Sequence, residues 1–182
     1  MTNDTNIPGE LEAESWAFAL ALYARPGVAE ACLTLQNEAD VDVMLLLMAT
    51  FAAVKHRTLL TPDEIGALDE ACRPWREQIV RNLRTIRSEL KAGPRPAPNG
   101  ETEQFRSKVK ALELEAEKIE NKLLAESLPL SLPRQKAVRP EQLRTVLNDV
   151  VMYFADRRGT KADASLSSSI EAIVGASMQD AS

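Results

Sequence analysis

At 182 residues with a formal net charge of −5, the chain has room for one ordinary domain with tails and none for two independent enzymatic domains. Apolar residues make up 45% and charged residues 27%, a balance that excludes a disordered chain and permits a core. The acidic total gives no general pull toward nucleic acid or an anionic membrane, both of which reward a basic surface.

Residues 1–10 lack periodicity and read as a flexible N-terminus. They carry no basic stretch followed by an apolar run and a small-residue cleavage site, so a cytoplasmic location is expected. The first predicted helix spans about Glu12 to Ala24, with Trp16, Leu20 and Tyr23 on one stripe and Phe18 and Leu22 on the other side. A helix apolar nearly all round must be covered on more than one side. Arg25-Pro26-Gly27 ends it, because proline disfavours helical geometry in the residue before it, and Pro26 suits the first turn of a second helix running to about Glu38.

Asp40 or Asp42 can cap a third helix from Val43 to about Lys55, since a side-chain carboxylate accepts from exposed backbone N–H groups and complements the positive dipole end. Val43 to Val54 is a 12-residue apolar run interrupted only by Thr50. Spanning a bilayer takes roughly 20 residues, so the run predicts a buried central helix and membrane insertion is not expected. Thr61-Pro62-Asp63-Glu64 is a capping box with proline at the first helical position, which starts a fourth helix ending near Cys72. Pro74 opens a fifth, from Trp75 to Lys91, whose Ile79, Leu83, Ile86 and Leu90 make a narrow apolar seam.

Gly93 to Gly100 holds three prolines and reads as a linker over 93–100. Beyond it, Phe105, Val109, Leu112, Ala116, Ile119 and Leu123 alternate four- and three-residue steps through a Glu/Lys-dense stretch, which predicts a long coiled-coil-like helix over 102–126. Leu143, Leu147, Val150 and Phe154 mark a C-terminal amphipathic helix ending at Gly159. Residues 159–182 read as a flexible tail with a weak helical turn near Ile170 to Val174. No period-2 run survives in a turn-bounded segment, so the fold class is all-α: a compact helical bundle over 11–92 around a buried central helix, then a long helix and a last amphipathic helix over 101–158.

Chemistry-bearing groups are sparse. His56 is the only histidine and sits between Lys55 and Arg57 at a helix end, where cations complement the negative dipole terminus. Cys32 and Cys72 lie among apolar neighbours as small buried hydrophobes. The three residues lack the close pairing that metal sites favour, and phosphate loops, nucleophile elbows and dinucleotide fingerprints are absent. No catalytic residue, metal or cofactor is expected.

Charge is distributed unevenly: residues 1–42 carry eight carboxylates and the single Arg25, whereas 73–91 carry six cations and two carboxylates. Arg76, Arg84, Arg87 and Lys91 lie largely opposite the Ile79 seam and form a solvated face, or a candidate docking surface for an acidic partner. No stacking aromatics interleave with them, and nucleic acid is not an expected partner. Trp16, Tyr23, Phe51 and Trp75 are candidates for core packing or for an apolar pocket between helices.

Trp16-Ala17-Phe18-Ala19-Leu20-Ala21-Leu22-Tyr23, then Arg25-Pro26-Gly27-Val28, Cys32-Leu33, Leu35-Gln36 and Asp42-Val43 before Leu45-Leu46-Leu47, resemble a family of proteobacterial helical proteins classed as a domain of unknown function. The resemblance extends more weakly through Pro74-Trp75-Arg76 and implies a helical fold and no particular activity. The leading expectation is a non-catalytic protein-binding or adaptor protein, meeting another protein or itself through helices 73–91 and 102–126. The alternative is a helical carrier or sensor of an apolar small molecule. An enzyme using Cys32, Cys72 or His56 is a third reading.

Overall fold

A computed structural model describes residues 8–130, 137–159 and 164–179, and among them every regular element is helical. The all-α expectation holds. α1 (Pro8–Tyr23) and α2 (Val28–Ala39) meet at the Arg25-Pro26-Gly27 corner with a 99° bend. Gly27 supplies a left-handed residue there (φ 80), a conformation that costs glycine little.

α3 (Val43–His56) begins at Asp42, whose Oδ1 accepts from the N–H groups of Met44 (2.8 Å) and Leu45 (3.2 Å). Its residues from Met44 to Ala53 are all buried. α4 (Pro62–Trp75) opens on the predicted capping box, with Thr61 and Glu64 bonding each other's backbone N–H. It continues without a break through a π-helical turn, Arg76–Val80, into α5 (Arg81–Glu89). Pro74 lacks an N–H and its ring crowds the carbonyl one turn back. The wider turn that follows absorbs an extra residue and resets the phase of the helix.

α6 (Gly100–Ser127) folds back on α5 in antiparallel sense, as Arg84 pairing with Glu117 and Arg87 with Glu113 requires. It also packs on α1, α3 and α4. Val109 and Ala116 of the predicted stripe are buried, but Phe105, Leu112 and Ile119 are exposed. The inward face is centred instead on Glu113, Glu120 and Leu124, because α6 seats into a groove of several helices rather than along a two-stranded seam.

α7 (Pro140–Arg158) buries Leu143, Leu147, Val150 and Phe154 and packs on α3 and α4. α8 (Ala164–Met178) corrects the expected flexible tail: Leu166, Ile170, Ile173 and Val174 are almost fully buried, and the helix packs chiefly on α2 and α7. The central helix is therefore covered by α1, α2, α4, α6, α7 and α8. The expected self-contained bundle over 11–92 is not how the core is built, since one continuous apolar cluster runs from Leu11 to Ala176. No single helix among the described residues is long and apolar enough to cross a membrane.

Candidate functional site

Two features meet at the N-terminus of α3. The first is a buried ionic cluster. Arg76 continues the buried face of α4, four residues after Cys72 and seven after Asp69, and there its Nη1 donates to Asp42 Oδ2 (2.7 Å) and its Nη2 pairs with Asp69 Oδ1 (2.6 Å). Asp69 Oδ2 also accepts from Tyr153 Oη (2.9 Å) and Arg73 Nε (3.0 Å), and the guanidinium lies 5.5 Å from the Phe154 ring centre. Burial alone would raise the Asp69 carboxyl, but Arg76, Tyr153 and Arg73 outweigh it and hold the group below its ordinary range. Burial likewise opposes the charge on Arg76, and Asp42 with Asp69 holds it protonated.

Glu120 of α6 enters the same cluster with no cation of its own. Its Oε1 is buried without a hydrogen-bond partner. Burial first, then the Asp42 charge and a hydrogen bond shared with Asp42, push its carboxyl up to about 10. The group is therefore neutral at pH 7, and its O–H is the donor toward the Asp42 carboxylate. Cys72 lies 3.9 Å from Asp42 Oδ2, so the Asp42, Cys72 and Glu120 donor atoms fall within 4.8 Å of one another. Arg76 stands against the same two neighbours, its Nη1 also 3.7 Å from Cys72 Sγ. A fixed guanidinium at that point disfavours a cation, and the cluster reads as a structural ion network.

The second feature is a cleft of about 570 Å3 between α1, α2, α3, α5 and α6. Trp16, Leu20 and Tyr23 form one wall, Val43, Met44 and Leu47 the floor, and Leu33 and Leu114 the rim. Arg84, Arg87, Lys110, Glu113 and Glu117 border it on the α5–α6 side. Arg84 Nε meets Glu113 Oε1 at 3.1 Å and its Nη2 meets Glu117 Oε1 at 2.9 Å. Burial raises the Glu117 carboxyl against the opposing pull of Arg84. Gln36, Val43, Met44, Arg84 and Glu117 also line a smaller polar pocket of about 290 Å3 that contains Arg81, Arg158, Asp40 and Asn37. The cleft thus has an apolar body and a charged, hydrogen-bonding end.

The expected site residues are redistributed. Arg76 leaves the basic face, because Asp42 and Asp69 draw it inside. Arg84 and Arg87 are engaged by Glu113 and Glu117 within the chain, which leaves Lys91 exposed in the turn after α5. Among the aromatics, Trp16 and Tyr23 line the cleft, whereas Phe51 is in the core, edge-on to His56 with ring centres 4.9 Å apart. Trp75 lies outside the cleft and donates its Nε1–H to the Ala116 carbonyl (2.9 Å). Burial pushes the Cys32 thiol up to about 12 and the Cys72 thiol higher still, which removes the thiolate that a nucleophile requires. Asp69 and Glu120 carry no sequence signal of burial. Asp69 is followed by Glu70, and Glu120 lies in the Glu/Lys-dense stretch of the long helix.

These features define a helical protein with a formed amphipathic cleft beside a rigid ionic core. Residues 14–124 match the family described as Protein of unknown function (DUF2390), and the chain belongs to that family. Among curated proteins and among solved structures nothing matches it.

Proposed function

We propose that the protein is a non-catalytic carrier or sensor that binds a small amphipathic molecule with an acidic head group. The observation that carries this reading is the continuity of the apolar cleft with the polar pocket through Arg84 and Glu117. A volume of about 570 Å3 lies in the range of small-molecule sites, which are mostly apolar with a few placed polar groups. An apolar body fits against Trp16, Leu20, Tyr23 and Leu47. Its head competes with Glu117 for Arg84, and Glu117 gives up its charge at low cost because burial already favours the protonated form. A cytoplasmic location accompanies the reading, since Cys32 and Cys72 are free and buried.

Docking of a protein partner on the basic face draws less support, because intramolecular carboxylates already hold Arg76, Arg84 and Arg87. Dodecanoate and anilinonaphthalene sulfonate are suitable probes. Titration is expected to give a saturable change in Trp16 emission, and Ala111→Phe, which narrows the cleft from an exposed helix position, is expected to weaken binding roughly tenfold. Absence of a saturable change with either probe, or equal affinity in the Ala111→Phe chain, overturns the reading.

A further inference from the structure

The antiparallel register fixed by Arg84 with Glu117 and Arg87 with Glu113 brings Ile79 level with Ile119, and Ile86 level with Leu112. All four are exposed, as is Phe105. On α6, Phe105, Leu112 and Ile119 recur every seven residues and form one ridge. Ile79, in the π turn, and Ile86, on α5, are turned away from Arg84 in the same sense. The two rows therefore share the face of the hairpin that lies away from the cleft. Single apolar residues on a surface are ordinary, but a continuous strip along two adjacent helices marks an interaction surface.

We propose that a second copy of this chain covers the strip, with α6 packed antiparallel on its own copy about a two-fold axis at Leu112. The row beside the ridge, Glu101, Lys108, Glu115 and Lys122, is exposed, recurs every seven residues and alternates in sign. In an antiparallel pair the same row of both helices lies on one side of the seam. Phe105 then faces Ile119 of the copy, Lys108 comes beside Glu115, and Glu101 beside Lys122. Symmetry repeats every contact, as a two-fold interface demands. In a parallel pair the two rows would lie on opposite sides of the seam and meet nothing of their own. The π turn and α5, with their copies, close the other margin through Ile79 and Ile86.

Sedimentation of the full chain at about 100 μM tests the arrangement, a concentration at which even a micromolar dimer is formed. The wild-type chain is expected to sediment as a dimer. Leu112→Glu, at an exposed position, is expected to sediment as a monomer with an unchanged far-ultraviolet helix signal. Lys108→Glu and Glu115→Lys should each weaken the dimer roughly tenfold, because each creates two like-charge contacts, and the double exchange should restore it to within about twofold. A wild-type monomer overturns the proposal. So does a dimer that survives Leu112→Glu, or a double exchange no tighter than the single ones.

Discussion

Glu120 decides how the buried cluster responds to pH. Asp69 has three guanidinium groups and a phenol around it, and Asp42 has Arg76 and the N-terminus of α3. Glu120 adds a third carboxyl without a matching cation, so it stays protonated and its folded value lies near 10, against 4.5 for the free side chain. Between those values the folded chain holds a proton that the unfolded chain has released. The Glu120 share of stability is therefore full below about pH 4.5 and declines as pH rises, by at most about 1.4 kcal/mol per pH unit for one proton. Glu120→Gln keeps the shape and a hydrogen-bond donor but cannot ionise. Urea denaturation from pH 5 to 9 is expected to show a falling midpoint in the wild-type chain and a flatter profile in the variant; parallel profiles contradict this account. Asp69, held low by Arg76, contributes with the opposite sign, and its share is lost only as pH falls below the ordinary aspartate range.

Along the helices, the legibility of the sequence follows the reach of each signal. The capping box at Thr61, the corner at Pro26 and the apolar run after Asp42 are local chemistry, and all three form, although Pro26 stands before the Gly27 N-cap rather than in the first turn of α2. The facing of α5 and α6 was not readable in the same way. The π turn after Pro74 breaks the 100° step on which any helical wheel relies, so a regular wheel aligns Arg76 with Arg84 and Arg87 although it points into the core. On α6 the predicted stripe and the buried face overlap only at Val109 and Ala116, because which flank goes inward depends on neighbours distant in sequence. Trp16 and Tyr23 were legible as pocket candidates, but nothing local tells that Phe51 and Trp75 turn elsewhere. Gly66 offers a check on α4 itself. A Cβ there would lie 3.6 Å from the Tyr153 ring, an ordinary contact. Gly66→Ala removes the backbone freedom of a mid-helix glycine, and a stabilisation of about 0.5–1 kcal/mol is expected. A lower thermal midpoint would mean that Tyr153 cannot accept the methyl group.

The assembled molecule depends on its last helix. α8 escapes sequence reading because its serines and alanines hide a run of Leu166, Ile170, Ile173 and Val174 at helical spacing. These four side chains are almost fully buried, and each contributes roughly 1.5–3 kcal/mol relative to exposure. Their sum is comparable with the net stability of a whole domain, about 5–15 kcal/mol. A chain ended at Gly159 is expected to lose its cooperative urea transition and more helical ellipticity than α8 alone accounts for. An unchanged transition midpoint would show α8 to be dispensable.

The guanidinium of Arg25 donates to the carbonyl of Ala176, so the first corner of the chain is fastened to nearly its last described turn. During synthesis, the greasy middle helix emerges from the ribosome long before α7 and α8 exist to shield it. Pairings between such remote segments form slowly, and a nascent chain in that interval exposes sticky surface. The interval before α7 and α8 are translated is therefore when the growing polypeptide is most open to aggregation.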